Sequence, residues 1–228
     1  MKFLITGFEP FGGDSTNSSQ ETVKAVSCDG VDDVEVVTGI LPVSFKRVEE
    51  AISGLIDEAD PDVVVMLGQS GKSDCIKIER VALNLMDSSK GDNDGYSPDE
   101  EAICPDAPIA YFTKMPVKAL RDCLMRSGIP AKVSNSAGLY VCNATYFATL
   151  NLIATTGRNT KALFIHLPRV SEEWPVGRMT EAIKQLMGNI NTAVGLSCVS
   201  NDKNKILYNA TFEKTLFEDS KVTAVKVD

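Results

Sequence analysis

Lys132–Phe147 reads KVSNSAGLYVCNATYF, and this one run combines three local patterns. Ala131–Ser134 predicts a short strand, Ser136–Tyr140 a glycine-containing turn, and Ala144–Thr156 an amphipathic helix with Leu, Phe and Ile at helical spacing. Strand, turn and helix together deliver Cys142 to a helix start. There the orphan backbone N–H groups and the positive end of the helix dipole favour an anion, which for cysteine is the nucleophilic thiolate. Cys142 is therefore a candidate nucleophile. Free cysteine is also among the most buried residue types, so a small core residue is the competing reading.

A nucleophilic cysteine needs a base that keeps it paired and a third group that orients the base. The chain has one histidine, His166, at the end of a predicted strand, Lys161–Ile165, within FIHLP. Ligands of open α/β sheets bind outside the carboxyl ends of the strands, so the position suits chemistry, although a lone histidine is more often structural. Glu79 is the candidate for the third group. It lies in the alternating run Ile76–Leu83, IKIERVAL, where period two puts Ile76, Ile78 and Arg80 on one face and Lys77, Glu79 and Val81 on the other. An exposed strand carboxylate paired with Lys77 or Arg80 would give the same pattern.

Outward from these residues the chain alternates strand and helix. Strands are predicted at Lys2–Thr6, Val34–Leu41 and Asp62–Leu67, and helices at Glu21–Ser27, Phe45–Glu58, Pro116–Ser127 and Val176–Asn189. Such alternation predicts an α/β protein with a mostly parallel sheet covered on both sides. At 228 residues, 43% hydrophobic and 24% charged, the chain suits one large domain with a sizeable core. The polar run Met86–Pro108 is too long for a simple connection, and loops of that kind tend to be functional or mobile. Trp174, the sole tryptophan, reads as a core residue first, then as a subunit contact or a lid.

Composition also excludes several classes. A net charge of -8 and a pI near 4.8, with no cluster of Lys and Arg, argue against nucleic acid. Six scattered cysteines without a C-x-x-C pair suggest neither a zinc site nor a redox motif. The opening MKFLITGFEPFGG has too short an apolar run for a signal peptide, and no later stretch reaches membrane-spanning length. A reducing cytoplasm with free thiols is the expectation, so the sequons at Asn17, Asn143 and Asn209 carry no meaning for glycosylation. GQSGKS at Gly68–Ser73 fails as a phosphate-binding loop, because Met66 stands where the first glycine belongs and the run after Ser73 alternates like a strand.

FEPFGG at Phe8–Gly13, GQSG at Gly68–Gly71, IERVALN at Ile78–Asn84, GIPAKVSNSAGLYVCN at Gly128–Asn143 and FIHLP at Phe164–Pro168 together resemble pyroglutamyl peptidase I, also called pyrrolidone carboxyl peptidase, cysteine peptidase family C15. The similarity runs in order from the first residues to about Ala193. It implies a single-domain α/β/α sandwich, removal of an N-terminal pyroglutamyl residue from peptides, and no metal or organic cofactor. The matching catalytic positions are Glu79, Cys142 and His166. By the same resemblance Phe8 and Phe11 are walls of an apolar slot for the pyroglutamyl ring, and Gln69, Tyr140 and Val141 belong to the substrate pocket. Pyroglutamate has lost its amine charge to the lactam, so an apolar slot with one or two polar groups would select it. A homo-oligomer, dimer or tetramer, is implied as well.

Two departures qualify the match. Asp87, Asp92 and Asn93 fit the family, but Ser89 stands where an arginine is usual, which leaves any support of an oxyanion to a backbone N–H, to Lys90 or to nothing. Beyond Gly195 the resemblance ends. Residues 196–228 read as an extension, packed on the 1–195 domain or at a subunit interface, with possible strands at Ile206–Phe212 and Val222–Val227. Ser89 and the altered residues after Pro168 motivate one alternative, a weakly active or inactive relative that binds pyroglutamyl peptides. A nucleoside phosphorylase-like enzyme is the other, against which stands the lack of a basic phosphate cradle.

Overall fold

The apolar runs Phe3–Ile5 and Val63–Leu67 are wholly buried, as strands covered on both faces must be. They form the middle of a sheet in a computed structural model that describes residues 1–29, 34–71 and 73–199. The two strands expected in the C-terminal tail lie outside the described residues. Met1–Asn189 form one compact unit, to which the described residues from Ile190 do not belong.

In chain order the elements are β1 (Lys2–Phe8), α1 (Ser18–Asp29), β2 (Glu35–Leu41), α2 (Val48–Ala59), β3 (Val63–Ser70), β4 (Ile76–Glu79), β5 (Val81–Leu83), β6 (Ala110–Phe112), α3 (Val117–Arg126), β7 (Ala131–Ser134), α4 (Val141–Thr156), β8 (Lys161–Pro168) and α5 (Val176–Val199). The main sheet has the order β2-β1-β3-β8-β4-β7. Strands β1, β2, β3 and β8 are mutually parallel, β4 runs antiparallel to β8, and β7 is parallel to β4. The sheet is thus mostly parallel, with helices on both faces, as the alternation predicts.

Side-chain alternation sorts the core into two layers. Leu4, Phe8, Val64, Met66, Ala162 and Phe164 face α2 and α4, where Ile52, Ile56, Tyr146 and Phe147 complete one apolar cluster. On the other face α1 packs so closely on β1 that a Cβ at Gly7 would lie 2.7 Å from the carbonyl oxygen of Ser19. Two helices end on left-handed residues, α2 at Asp60 (φ 42°) and α4 at Gly157 (φ 67°). Trp174 is buried and donates from Nε1 to the Asp74 carbonyl at 3.2 Å, which makes it a core residue.

One expectation is corrected. IKIERVAL is not a single strand but two, broken at Arg80. The Arg80 N–H still donates to Ser134 of β7 at 2.8 Å, while its carbonyl accepts from Thr113 at 3.0 Å. Past that point the chain pairs with β6 in a separate two-stranded sheet. Period-two alternation continues through a change of partner, so the pattern alone does not reveal the break. The long polar loop is tethered rather than loose: Asp92 accepts from Phe45, Asp94 and Tyr96 backbone N–H groups, and Asn93 donates from its side chain to Glu9 and Pro10.

Candidate active site

The strand ends, the α4 start and the tethered loop converge on Cys142. The chain turns at Gly138 (φ +82°), a backbone angle that favours glycine, and α4 begins at Val141, so Cys142 falls in its first turn. Asn143 and Ala144 donate to the Tyr140 carbonyl, whereas the backbone N–H groups of Val141 and Cys142 have no acceptor among the described residues. The helix is anchored by Asn143. Its Oδ1 accepts from Leu83 N at 3.0 Å, and its Nδ2 donates to the carbonyls of Leu83 and Leu85.

His166 lies within β8, opposite Lys77 of β4, and Glu79 lies opposite Phe164. Glu79 and His166 are therefore diagonal neighbours on one sheet face. Glu79 is fully buried, His166 is 8% exposed, and Oε1 sits 2.8 Å from Nδ1. The competing reading of Glu79 as an exposed partner of Lys77 or Arg80 is excluded by that burial; Lys77 instead donates to Ser70. The second carboxylate oxygen, Oε2, is buried without a hydrogen-bond partner among the described residues. Tyr146 donates to the Glu79 carbonyl at 3.1 Å, and burial raises that phenol well above its ordinary range.

Gly68, the cross-strand partner of His166, brings the thiol beside the imidazole, because a Cβ there would lie 3.0 Å from Cys142 Sγ. Burial alone would push the imidazolium down, but the hydrogen bonds and charges of Cys142 and Glu79 together outweigh it and hold His166 up to about 9. The Phe164 ring, 4.9 Å from the imidazole between centroids, packs beside it. Backbone space is equally tight. A Cβ at Gly68 would lie 2.9 Å from the Phe164 ring and 3.0 Å from Cys142 Sγ. Gly68→Ala is expected to destabilise the fold by about 1–3 kcal/mol through overpacking, seen as a lower thermal midpoint, and to alter the alkylation rate of Cys142. Unchanged melting and unchanged alkylation would show that the site is looser than described.

Beside the thiol is a pocket of about 230 Å³, its open mouth included, lined by Phe8, Phe11, Val43, Tyr140, Val141, Cys142, Asn17 and Gln69. The five residues expected in the substrate pocket line it, and of the three expected catalytic positions Cys142 does, whereas Glu79 and His166 are not among its lining residues. Phe8 belongs to the core as well. Tyr140 packs edge-on against Phe45 and donates to the Gly91 carbonyl at 3.0 Å; burial, helped by Asp92 and Cys142, pushes it up to about 12. Ser89 is exposed, and the neighbouring Lys90 places its ammonium 5.5 Å from the Phe11 ring centroid.

Val43, Asn17 and Asn143 were not expected from sequence. Asn17 accepts from Ser19 N and caps α1, and the pattern Asn17-Ser-Ser-Gln20 carries a capping signal. Nothing in the residue type marks Val43 or Asn143. Among the described residues no group of His, Cys, Asp and Glu is placed to hold a metal ion, and no helix is long and apolar enough to cross a membrane.

An α/β sheet covered on both faces, with a buried carboxylate–imidazole pair and a thiol that lines an apolar pocket, has the make-up of a hydrolase. The sequence pattern of the pyroglutamyl peptidase family matches residues 1–198. The pyrrolidone-carboxylate peptidase of Thermococcus onnurineus is 47% identical over 173 residues, 76% of this chain and 86% of that protein. That of Thermococcus kodakarensis is 46% identical over 173 residues, 76% of this chain and 84% of the other. The crystal structure of the pyrrolidone carboxyl peptidase from Fervidobacterium islandicum superposes with a TM-score of 0.79 at 35% identity, covering 84% of this chain and 99% of that one. The chain belongs to the pyroglutamyl peptidase family, and so to the peptidases.

Proposed function

We propose that this protein removes an N-terminal pyroglutamyl residue from peptides, with Cys142 as nucleophile, His166 as acid and base, and Glu79 orienting the imidazole. One observation carries the reading: the thiol that lines the apolar pocket stands beside Gly68, the cross-strand partner of the His166 that Glu79 holds at 2.8 Å. The pocket chemistry supports it. Phe8, Phe11, Val43 and Tyr140 offer an apolar surround with the Gln69 and Asn17 amides as the polar exceptions, which suits an uncharged lactam ring and penalises the desolvated ammonium of an ordinary N-terminus.

In this mechanism the Cys142 thiolate attacks the carbonyl carbon between pyroglutamate and the next residue, forming a C–S bond as the carbonyl becomes an oxyanion. The free N–H groups of Val141 and Cys142, at the positive end of α4, are the oxyanion donors we assign. With Nδ1 committed to Glu79, the imidazolium gives its Nε2 proton to the departing amine and the C–N bond breaks. The neutral imidazole then takes a proton from water, whose oxygen attacks the thioester carbonyl. Collapse releases free pyroglutamate and restores the thiolate–imidazolium pair.

Peptide beyond the ring trails out of the pocket mouth, so the protein acts as an exopeptidase tolerant of the second residue. The proposal includes a reducing, cytoplasmic setting in which Cys142 stays a thiol; Cys75, Cys104, Cys123 and Cys142 are all free. It also includes residues 1–195 as the peptidase domain, 196–228 as an extension, and assembly as a homodimer or homotetramer. Ile109, 89% exposed, and Phe112 are apolar surface that such an assembly would cover.

Release of a fluorogenic amine from its pyroglutamyl amide, beside the prolyl amide and before and after iodoacetamide, tests the reading. Turnover of the pyroglutamyl compound alone, lost on alkylation, is expected. Turnover that survives complete alkylation of Cys142 would sink it.

A further inference from the structure

The Gln69 amide is fixed by two groups of unambiguous polarity. Its Oε1 accepts from the backbone N–H of Ser18 at 2.9 Å, and its Nε2 donates to Asp14 Oδ2 at 3.3 Å. A backbone N–H cannot accept and a carboxylate cannot donate, so reversing the amide would lose both bonds. The same Asp14 oxygen accepts from Arg169 Nη2 at 2.6 Å. Asp14 stands in the loop that carries Phe11, and Arg169 directly follows β8, the strand of His166. One ion pair thus ties a pocket wall to the strand of the imidazole, with Gln69 between them.

We infer that Asp14, held by Arg169, is a positioning residue that fixes the direction of the Gln69 amide and with it the preference of the pocket for a ring bearing a carbonyl. This rests on the reading of the pocket as the seat of the pyroglutamyl ring. An amide nitrogen has two hydrogens. One is engaged by Asp14, and the other has no acceptor among the described residues and remains for the lactam carbonyl, in a lining whose other amide, Asn17, is already bonded to Ser19 and Glu9. A reversed amide would set its own oxygen against that carbonyl, repelling the ring that the slot otherwise fits.

Arg169 is a little over half exposed and Asp14 about a third, so solvent moderates the effect. Asp14→Ala is expected to raise KM for a pyroglutamyl amide about 5- to 10-fold while kcat stays within about twofold. Two aldehydes that add to the thiol separate positioning from general loosening. With 5-oxopyrrolidine-2-carbaldehyde, which carries the lactam, Ki rises with KM in Asp14→Ala. With cyclopentanecarbaldehyde, which has the same ring size and neither lactam group, Ki is unchanged. Arg169→Met moves the ratio the same way by less, and Asp14→Asn, which keeps an oxygen acceptor for Gln69, restores most of it. Equal rises for both aldehydes, or an unchanged ratio in Asp14→Ala and Arg169→Met alike, would overturn the inference. In either case intact wild-type turnover leaves the peptidase reading standing, whereas a wild type that releases no pyroglutamate overturns both.

Discussion

Cys142→Ala is expected to lower kcat/KM for a pyroglutamyl amide by at least about 10⁴-fold with little change in folding. The side chain removed is the thiol that lines the pocket; Cys75 and Cys123 are buried elsewhere, and Cys104, within the tethered loop, packs against the core. Alanine is a strong helix former, and the anchor of α4 is the neighbouring Asn143, whose three hydrogen bonds to Leu83 and Leu85 are untouched. Circular dichroism melts of the variant therefore track the wild type, and the lost rate belongs to chemistry. Cys142→Ser makes a sharper comparison. It keeps size and polarity, but a hydroxyl gives up its proton far less readily than a thiol, so the serine variant binds pyroglutamyl ligands and turns them over slowly at best. If the alanine variant stayed within tenfold of wild type, the nucleophile would be a water activated by His166, and the thioester would have to be abandoned.

The parts of the site that sequence discloses are those in which one residue type carries one chemistry. A single histidine leaves no choice of imidazole, and a cysteine after a strand and a glycine turn has a physical reason to be at a helix start. The aromatic pair Phe8 and Phe11 brackets a proline in a loop that leaves a strand end, and both do line the pocket. What sequence conceals depends on partner choice. The switch of IKIERVAL from the main sheet to β6 happens at Arg80 without interrupting the alternation. Glu79 is equally ambiguous in one dimension. Only the antiparallel pairing of β4 on β8 sets it diagonal to His166, buries it, and removes Lys77 as a partner. The polar loop likewise reads as irregular because its order comes from long-range hydrogen bonds, Asp92 to Phe45 and Asn93 to Glu9, and not from any local pattern.

Glu79→Gln is expected to lower kcat by about 10³- to 10⁴-fold, because an amide can either accept from Nδ1–H or donate to a bare Nδ1, and the second choice selects the wrong tautomer. His166 gives this a direct readout. As the only histidine in the chain, its ring proton resonance titrates without any assignment problem. In the wild type the midpoint is expected near the value of about 9 to which Cys142 and Glu79 hold the imidazole against its burial. Removing either partner lowers it, and the alkaline limb of the pH–rate profile moves down in step wherever turnover remains measurable. Stability follows with a definite sign. A folded-state value above the unfolded value of about 6.5 means that the contribution of His166 is fully present below roughly pH 6.5 and is lost as pH rises through about 9. That contribution is on the order of 3 kcal/mol, so wild-type melting temperatures fall across this window and those of Glu79→Gln fall less. The partnerless Oε2 of Glu79 sharpens the contrast, since a buried carboxylate with one unmet oxygen is stabilised mainly by the imidazolium it faces. A wild-type titration midpoint near 6.5, or alkaline melting curves that Glu79→Gln leaves unchanged, would mean that Glu79 does not charge the imidazole and that its burial serves the core alone.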